Sequence, residues 1–126
     1  MKTVIASVVL FALLLGFGTF AYYYIDNTAK HLAAEAATVE KSVQSKDWGS
    51  AERSYTKLQS SWNKASIKWT VLLDHQELDN INITMSRVKE FMDTRDIPGS
   101  RSELAELKML LKHIPEKEAI NVKNIL

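Results

Sequence analysis

Residues 48–72 read WGSAERSYTKLQSSWNKASIKWTVL. Within them Trp48, Ala51, Tyr55, Leu58, Trp62, Ala65, Trp69 and Leu72 recur by alternating steps of three and four without a miss. That spacing puts all of them on one side of a helix, predicted from about Trp48 to Leu73 and near 40 Å long. Asp47 is placed to cap its start. All three tryptophans of the chain lie on the stripe. Each large aromatic buries roughly 150–250 Å², so this face demands other apolar surface to cover it.

Outward from this segment the same period continues. Upstream, Leu32, Ala36, Val39 and Val43 step by four, three and four. They define an alanine-rich helix that either starts at a cap from Asp26, Asn27 or Thr28 or continues directly out of the apolar segment, and that ends near Ser45 to Asp47. Downstream, Asp74-His75-Gln76-Glu77 interrupts the register. Leu78, Ile81, Met85, Val88 and Met92 then resume it, with an end near Thr94 or Arg95. Asp96-Ile97-Pro98-Gly99 reads as a turn. Ser100 and Glu103 match a capping box for a fourth helix with the stripe Leu104, Leu107, Leu111 and Ile114, and Pro115 reads as its stop. Ile120, Val122, Ile125 and Leu126 give the tail an apolar content expected to pack across the others. Period-two alternation is nearly absent. Single stripes are unstable alone in water. The expected fold is all-α: an N-terminal transmembrane helix followed by an antiparallel three- to four-helix bundle. Pairing of the first helix between two chains as a coiled coil is the alternative, and would make the protein a homo-oligomer.

The transmembrane expectation comes from the other end of the chain. Thr3 to Ile25 carries no charge and holds twelve Val, Ile, Leu and Phe residues. As a helix it is about 34 Å long, slightly more than a hydrocarbon core. The apolar residues favour insertion by roughly 4 to 7 kcal/mol. Tyr22, Tyr23 and Tyr24 stand where such a helix would meet the headgroups. A cleaved signal peptide is the rival, with Thr19 and Ala21 as small residues near a cleavage point. The apolar run is longer than a signal core of roughly 7–15 residues, which favours a retained anchor. The division is therefore an anchor over residues 1–25 in contact with lipid and a helical domain over 26–126. Lys2 on one side and Asp26 on the other favour a cytoplasmic N-terminus and a domain outside the cytoplasm.

Composition narrows function. The chain has 126 residues, 16 Lys and Arg, 15 Asp and Glu, and no Cys. The near-neutral balance points away from nucleic acid. The missing cysteines exclude disulfides, thiolate zinc sites and a cysteine nucleophile. G-x-S-x-G, a Gly-rich phosphate loop and H-E-x-x-H are all absent from the sequence, which points away from an enzyme. Lys64, Lys68, Arg87, Lys89 and Lys108 are offset by Glu52, Asp74, Glu90, Glu103 and Glu106, a mixed solvated surface.

Asp74, His75, Glu77 and Asp79 form the densest titratable cluster. His75 and Asp79 share a helix face, and with His113 and Glu116 they could hold a divalent cation. The alternative is a helix corner, Asp74 capping and His75 bonded to backbone. His31 and Glu35 read as a solvated i,i+4 pair. The tryptophan stripe could line a ligand cavity but reads as core. No resident metal or cofactor is expected.

Residues from Trp48 to Leu126 resemble an uncharacterised bacterial family, the domain-of-unknown-function family numbered 4363. The residues that carry this are Trp62, Trp69, the run Leu73-Asp74-His75-Gln76-Glu77-Leu78-Asp79, the run Glu103-Leu104-Ala105-Glu106-Leu107-Lys108, His113-Ile114-Pro115-Glu116, and Lys123-Asn124-Ile125-Leu126. Its members are small membrane-anchored proteins, mostly from Firmicutes. The resemblance implies no activity. It does imply a membrane partner of the YetF-like kind, because members often accompany such proteins. The expected function is thus a non-enzymatic, single-pass accessory or interaction protein for a membrane or envelope partner. Asp74, His75, Glu77, Asp79, His113, Ile125 and Leu126 are the candidate contacts. The alternative is a metal or small-molecule sensor using the Asp74–Asp79 corner or the bundle interior.

Overall fold

The computed structural model describes the backbone from Met1 to Ile125 and side chains as far as Ile120. Four helices follow in order: α1 Lys2–Gln44, α2 Trp48–Leu72, α3 His75–Asp93 and α4 Ile97–Ile125. No strand occurs among the described residues. The helices run alternately up and down. α1 packs on α2 and α4, α3 packs on α4, and the α2–α3 contact is thinner. The bundle is thus four-membered, with α1 and α3 on one diagonal.

The expected stripes form the core. Val39, Val43, Ala51, Leu58, Trp69, Ile81, Val88, Leu104, Leu107, Leu111 and Ile114 are almost fully buried. Ala29 and Ala36 of α1 are buried too, and their small side chains let neighbouring helices come close. Tyr55 donates its hydroxyl to the Met85 carbonyl at 3.0 Å, tying α2 to α3. Burial raises the pKa of this hydroxyl. The α1 stripe is covered by α2 and α4 of the same chain, which leaves none of it for the alternative coiled coil between chains.

The two corners far from the N-terminus share one design. Lys46 and Arg95 adopt left-handed backbone, φ 59° and 57°. The Lys46 and Asp47 N–H groups donate to the Val43 and Ser42 carbonyls. Those of Arg95 and Asp96 donate to Met92 and Phe91. Both are Schellman closures with a basic residue where glycine is usual. Each is followed at once by an aspartate that starts the next helix: Asp47 accepts from Ser50 N–H at 3.2 Å and Asp96 from Gly99 N–H at 2.8 Å. The guanidinium of Arg95 lies 5.9 Å from the Trp48 ring centre and joins the two corners.

Four local expectations are corrected. Asp26, Asn27 and Thr28 cap nothing, because of the two courses open to this helix it takes the direct continuation, and α1 is unbroken from Lys2. The Thr28 hydroxyl instead donates to the Tyr24 carbonyl, and Asp26 pairs with Lys30 at 2.9 Å. Pro98 and Gly99 lie in the first turn of α4 rather than in the preceding loop. A proline there loses an N–H that would have no helical partner anyway. Ser100 is fully buried and donates to the Asp96 carbonyl, so the capping box with Glu103 is unused. Finally, α4 runs through Pro115 and on to Ile125. The missing bond to residue 111 costs one rung, while Leu111, Ile114 and Pro115 itself are buried against the bundle.

Candidate functional site

Three places hold the chemistry, and the expected corner comes first. Asp74 caps α3 through its carboxylate, which accepts from Gln76 N–H at 3.3 Å. Glu77, one turn in, turns toward α4 and accepts from Lys117 Nζ at 2.8 Å. That bond holds the lysine's pKa above its ordinary value. His75 and Asp79 are exposed. Their side chains make no hydrogen bond or ion pair among the described residues, so the His75 ring is not tied to backbone as the corner reading expected. His113 is exposed and lies 3.5 Å from Glu116 of its own helix. Among the described residues no three His, Asp or Glu side chains gather as a metal set would require. The pairing of His75 and Asp79 with His113 and Glu116 is therefore not made. Ile125 belongs to α4 by backbone; its side chain, and Leu126 altogether, lie outside the described residues.

The corner does border a cleft of about 320 Å³, lined by Leu72, Leu73, Asp74, Glu77, Ile114, Lys117 and Glu118. Burial raises the Glu118 carboxyl above the ordinary carboxylate range, against the pull of Lys117. Of the expected contacts, then, Asp74 and Glu77 share a concavity, whereas His75, Asp79 and His113 do not line it.

The second place was not legible as a site. Glu35 is only 8% exposed, in the seam between α1 and α2. Its Oε1 accepts from the Ser61 hydroxyl at 2.7 Å and faces His31 Nε2 at 2.6 Å. Its Oε2 meets no protein donor. The i,i+4 pair with His31 is thus half interior, and the signal that could have revealed it is the position of Glu35 next to Ala36 on the buried stripe. The tryptophans behave as core: Trp62 and Trp69 meet edge to face at 5.5 Å, and Trp62 Nε1 donates to Asn82 Oδ1 at 2.7 Å.

The third place is the apolar half of α1. Val4, Ile5, Val8, Val9, Leu10 and Phe11 are all more than half exposed, as are Leu13, Leu14, Phe17 and Phe20 beyond them. The most apolar window of this helix buries nothing against the rest of the chain. The hydroxyls of Ser7 and Thr19 donate to the Thr3 and Leu15 carbonyls of the same helix. A helix apolar all round has the length and composition of a membrane anchor or a signal sequence.

Compared with known families, the chain matches the Domain of unknown function (DUF4363) over residues 19–125. The match begins well before Trp48, so it takes in the packed half of α1 as well as α2, α3 and α4. No curated protein and no solved structure matches the chain.

Proposed function

The chain belongs to that family of unknown function, and on that footing we propose that it is a single-pass membrane protein without catalytic activity. Its helical domain lies outside the cytoplasm and binds or props a membrane or envelope protein. One observation carries the reading: α1 passes without a break from a bare apolar half into the core of the bundle. Lipid is the solvent that suits the first half, and water suits the charge-balanced outer surface of the second. Anchoring confines the domain near the membrane and raises its effective concentration for a membrane-bound partner. The family resemblance favours a YetF-like protein in that role. The cleft beside Asp74 and Glu77 is the contact we assign to it. In-cell crosslinking followed by mass spectrometry should recover one discrete membrane protein, with crosslinks clustered near Lys117. Repeated recovery of none would remove the interaction reading. Recovery of the chain cleaved near Ala21 and free in solution would remove the anchor.

A further inference from the structure

We propose that the bundle is not held off the bilayer but is seated in it, with the last two turns of α2 as a second lipid-contacting element. The proposal rests on the anchor reading of α1 and fixes the depth at which the domain sits. Val71 and Leu72 of α2 line one notch of about 320 Å³ with Phe17, Phe20, Ala21 and Tyr24 of α1. The end of α2 therefore stands level with the apolar run of α1, not above it. Lys68, one turn earlier, lies 5.5 Å from the Tyr24 ring centre.

The outer face of α2 changes character at the same level. Gln59, Ser60, Asn63 and Lys64 are exposed and polar. Below them Ile67 and Val71 are 74% and 84% exposed and bury nothing in the fold. The nearby Thr70 hydroxyl is closed on the Ser66 carbonyl at 2.6 Å, so it makes no demand on water. Span arithmetic agrees. A hydrocarbon core takes about 20 helical residues. Counted from Lys2 it ends near Ala21, which puts Tyr22 to Tyr24 in the headgroup layer and Phe20 at the edge of the acyl chains. Val71 shares that edge, and Lys68 lies at the depth of the lipid phosphates, where a lysine stem in the apolar zone with its ammonium in the polar one is favoured. α4 reaches the same level with charge: its Pro115 and Glu116 line a groove with Tyr22 and Asp26, and its exposed Glu116 and Lys117 suit the headgroup layer. The occupant of the Ile67–Val71 face is thus the headgroup–acyl boundary of the bilayer itself, continuous with the lipid around α1.

The chain has no cysteine, so single-cysteine labels report one position each. The full-length protein carrying Leu10→Cys, Phe20→Cys, Val71→Cys or Gln59→Cys is labelled with an environment-sensitive fluorophore. Each is reconstituted at low density in phosphatidylcholine–phosphatidylglycerol vesicles with bromines placed shallow on the acyl chains. Bromination should quench the Val71 label about twofold or more, as for Phe20, and leave the Gln59 label unchanged. A Val71 label that follows Gln59 while Phe20 is quenched overturns this proposal and leaves the anchor standing. Labels at Leu10 and Phe20 that are both unquenched overturn the anchor and the proposal with it. A Val71 label shielded from both the bromines and aqueous iodide means that a second copy covers the face, and this also overturns it.

Discussion

α1 is one rod with two unlike halves. From Val4 to Phe20 it is apolar on every side and buries no side chain; from Ile25 to Val43 it buries one stripe, Ile25, Ala29, Leu32, Ala36, Val39 and Val43, with Glu35 beside it, and leaves its other face to water. The backbone is the same in both halves, so helix formation does not distinguish them. The distribution of charge does. The first half has no polar face to offer water, and the second has one, built from residues such as Lys30, His31, Lys41 and Glu40. On the proposed anchor reading, a helix that changes in this way within one turn of Tyr24 marks a boundary in its surroundings rather than in its own structure.

A pair of substitutions would break this comparison if the halves were not independent. Trp69→Ala removes the largest fully buried side chain and should cost roughly 3–5 kcal/mol. That is a large share of a stability of about 5–15 kcal/mol. Urea titration should show the midpoint falling steeply while the chain stays in the membrane fraction. Leu10→Arg should do the reverse, weakening insertion by about 3 kcal/mol with the bundle's midpoint unmoved. Loss of both properties in either variant would mean that anchor and bundle fold as one unit.

Next in size is Gly99→Ala. A methyl group there would overlap the Phe91 ring from Cγ to Cε1, at the corner where α3 meets α4. Overpacking of this kind costs about 1–3 kcal/mol, read as a lower urea midpoint. Because Gly99 is at the end far from the apolar half of α1, the loss should be equal in detergent and in vesicles. An effect larger in vesicles would show that the two ends of the bundle are not separable.

The smallest effect sharpens the picture at the base. Glu118 holds its proton more tightly folded than unfolded, because burial disfavours the carboxylate. Its contribution to stability is therefore present at low pH and lost as pH rises through the raised value. Glu118→Gln should melt slightly higher than the parent at pH 7. The gap should close below the ordinary glutamate value of 4.5. A gap that persists at pH 4 would refute the assignment.

Most of the fold could be read from apolar spacing, because each of the four stripes becomes a buried face. Local signals fared less well where tertiary packing overrode them. Asp26-Asn27-Thr28 has the composition of a helix start, yet their side chains serve a helix already running. Pro115 has the identity of a stop, yet it is itself buried in the packed face of α4 and the helix runs past it. The corners at Lys46 and Arg95 lack the glycine that would have announced them. At the candidate site, Asp74 capping was readable from its neighbours in sequence. The bond from Lys117 to Glu77 was not, since it joins positions on different helices. Glu35 was misread because a charged residue beside a stripe resembles a solvated one until Ser61 is brought to it.

The unbroken passage of α1 has a mechanical consequence. With 43 residues at about 1.5 Å each it is a lever near 64 Å long, and no glycine or proline lies between Gly18 and Gln44 to act as a joint. In the proposed anchored state, a tilt of the apolar end is delivered whole to the Ser45–Asp47 corner. At about 20° of tilt, an ordinary value for spanning helices, that corner swings sideways by roughly a third of the rod's length, so lipid thickness alone can aim the far tip of the molecule.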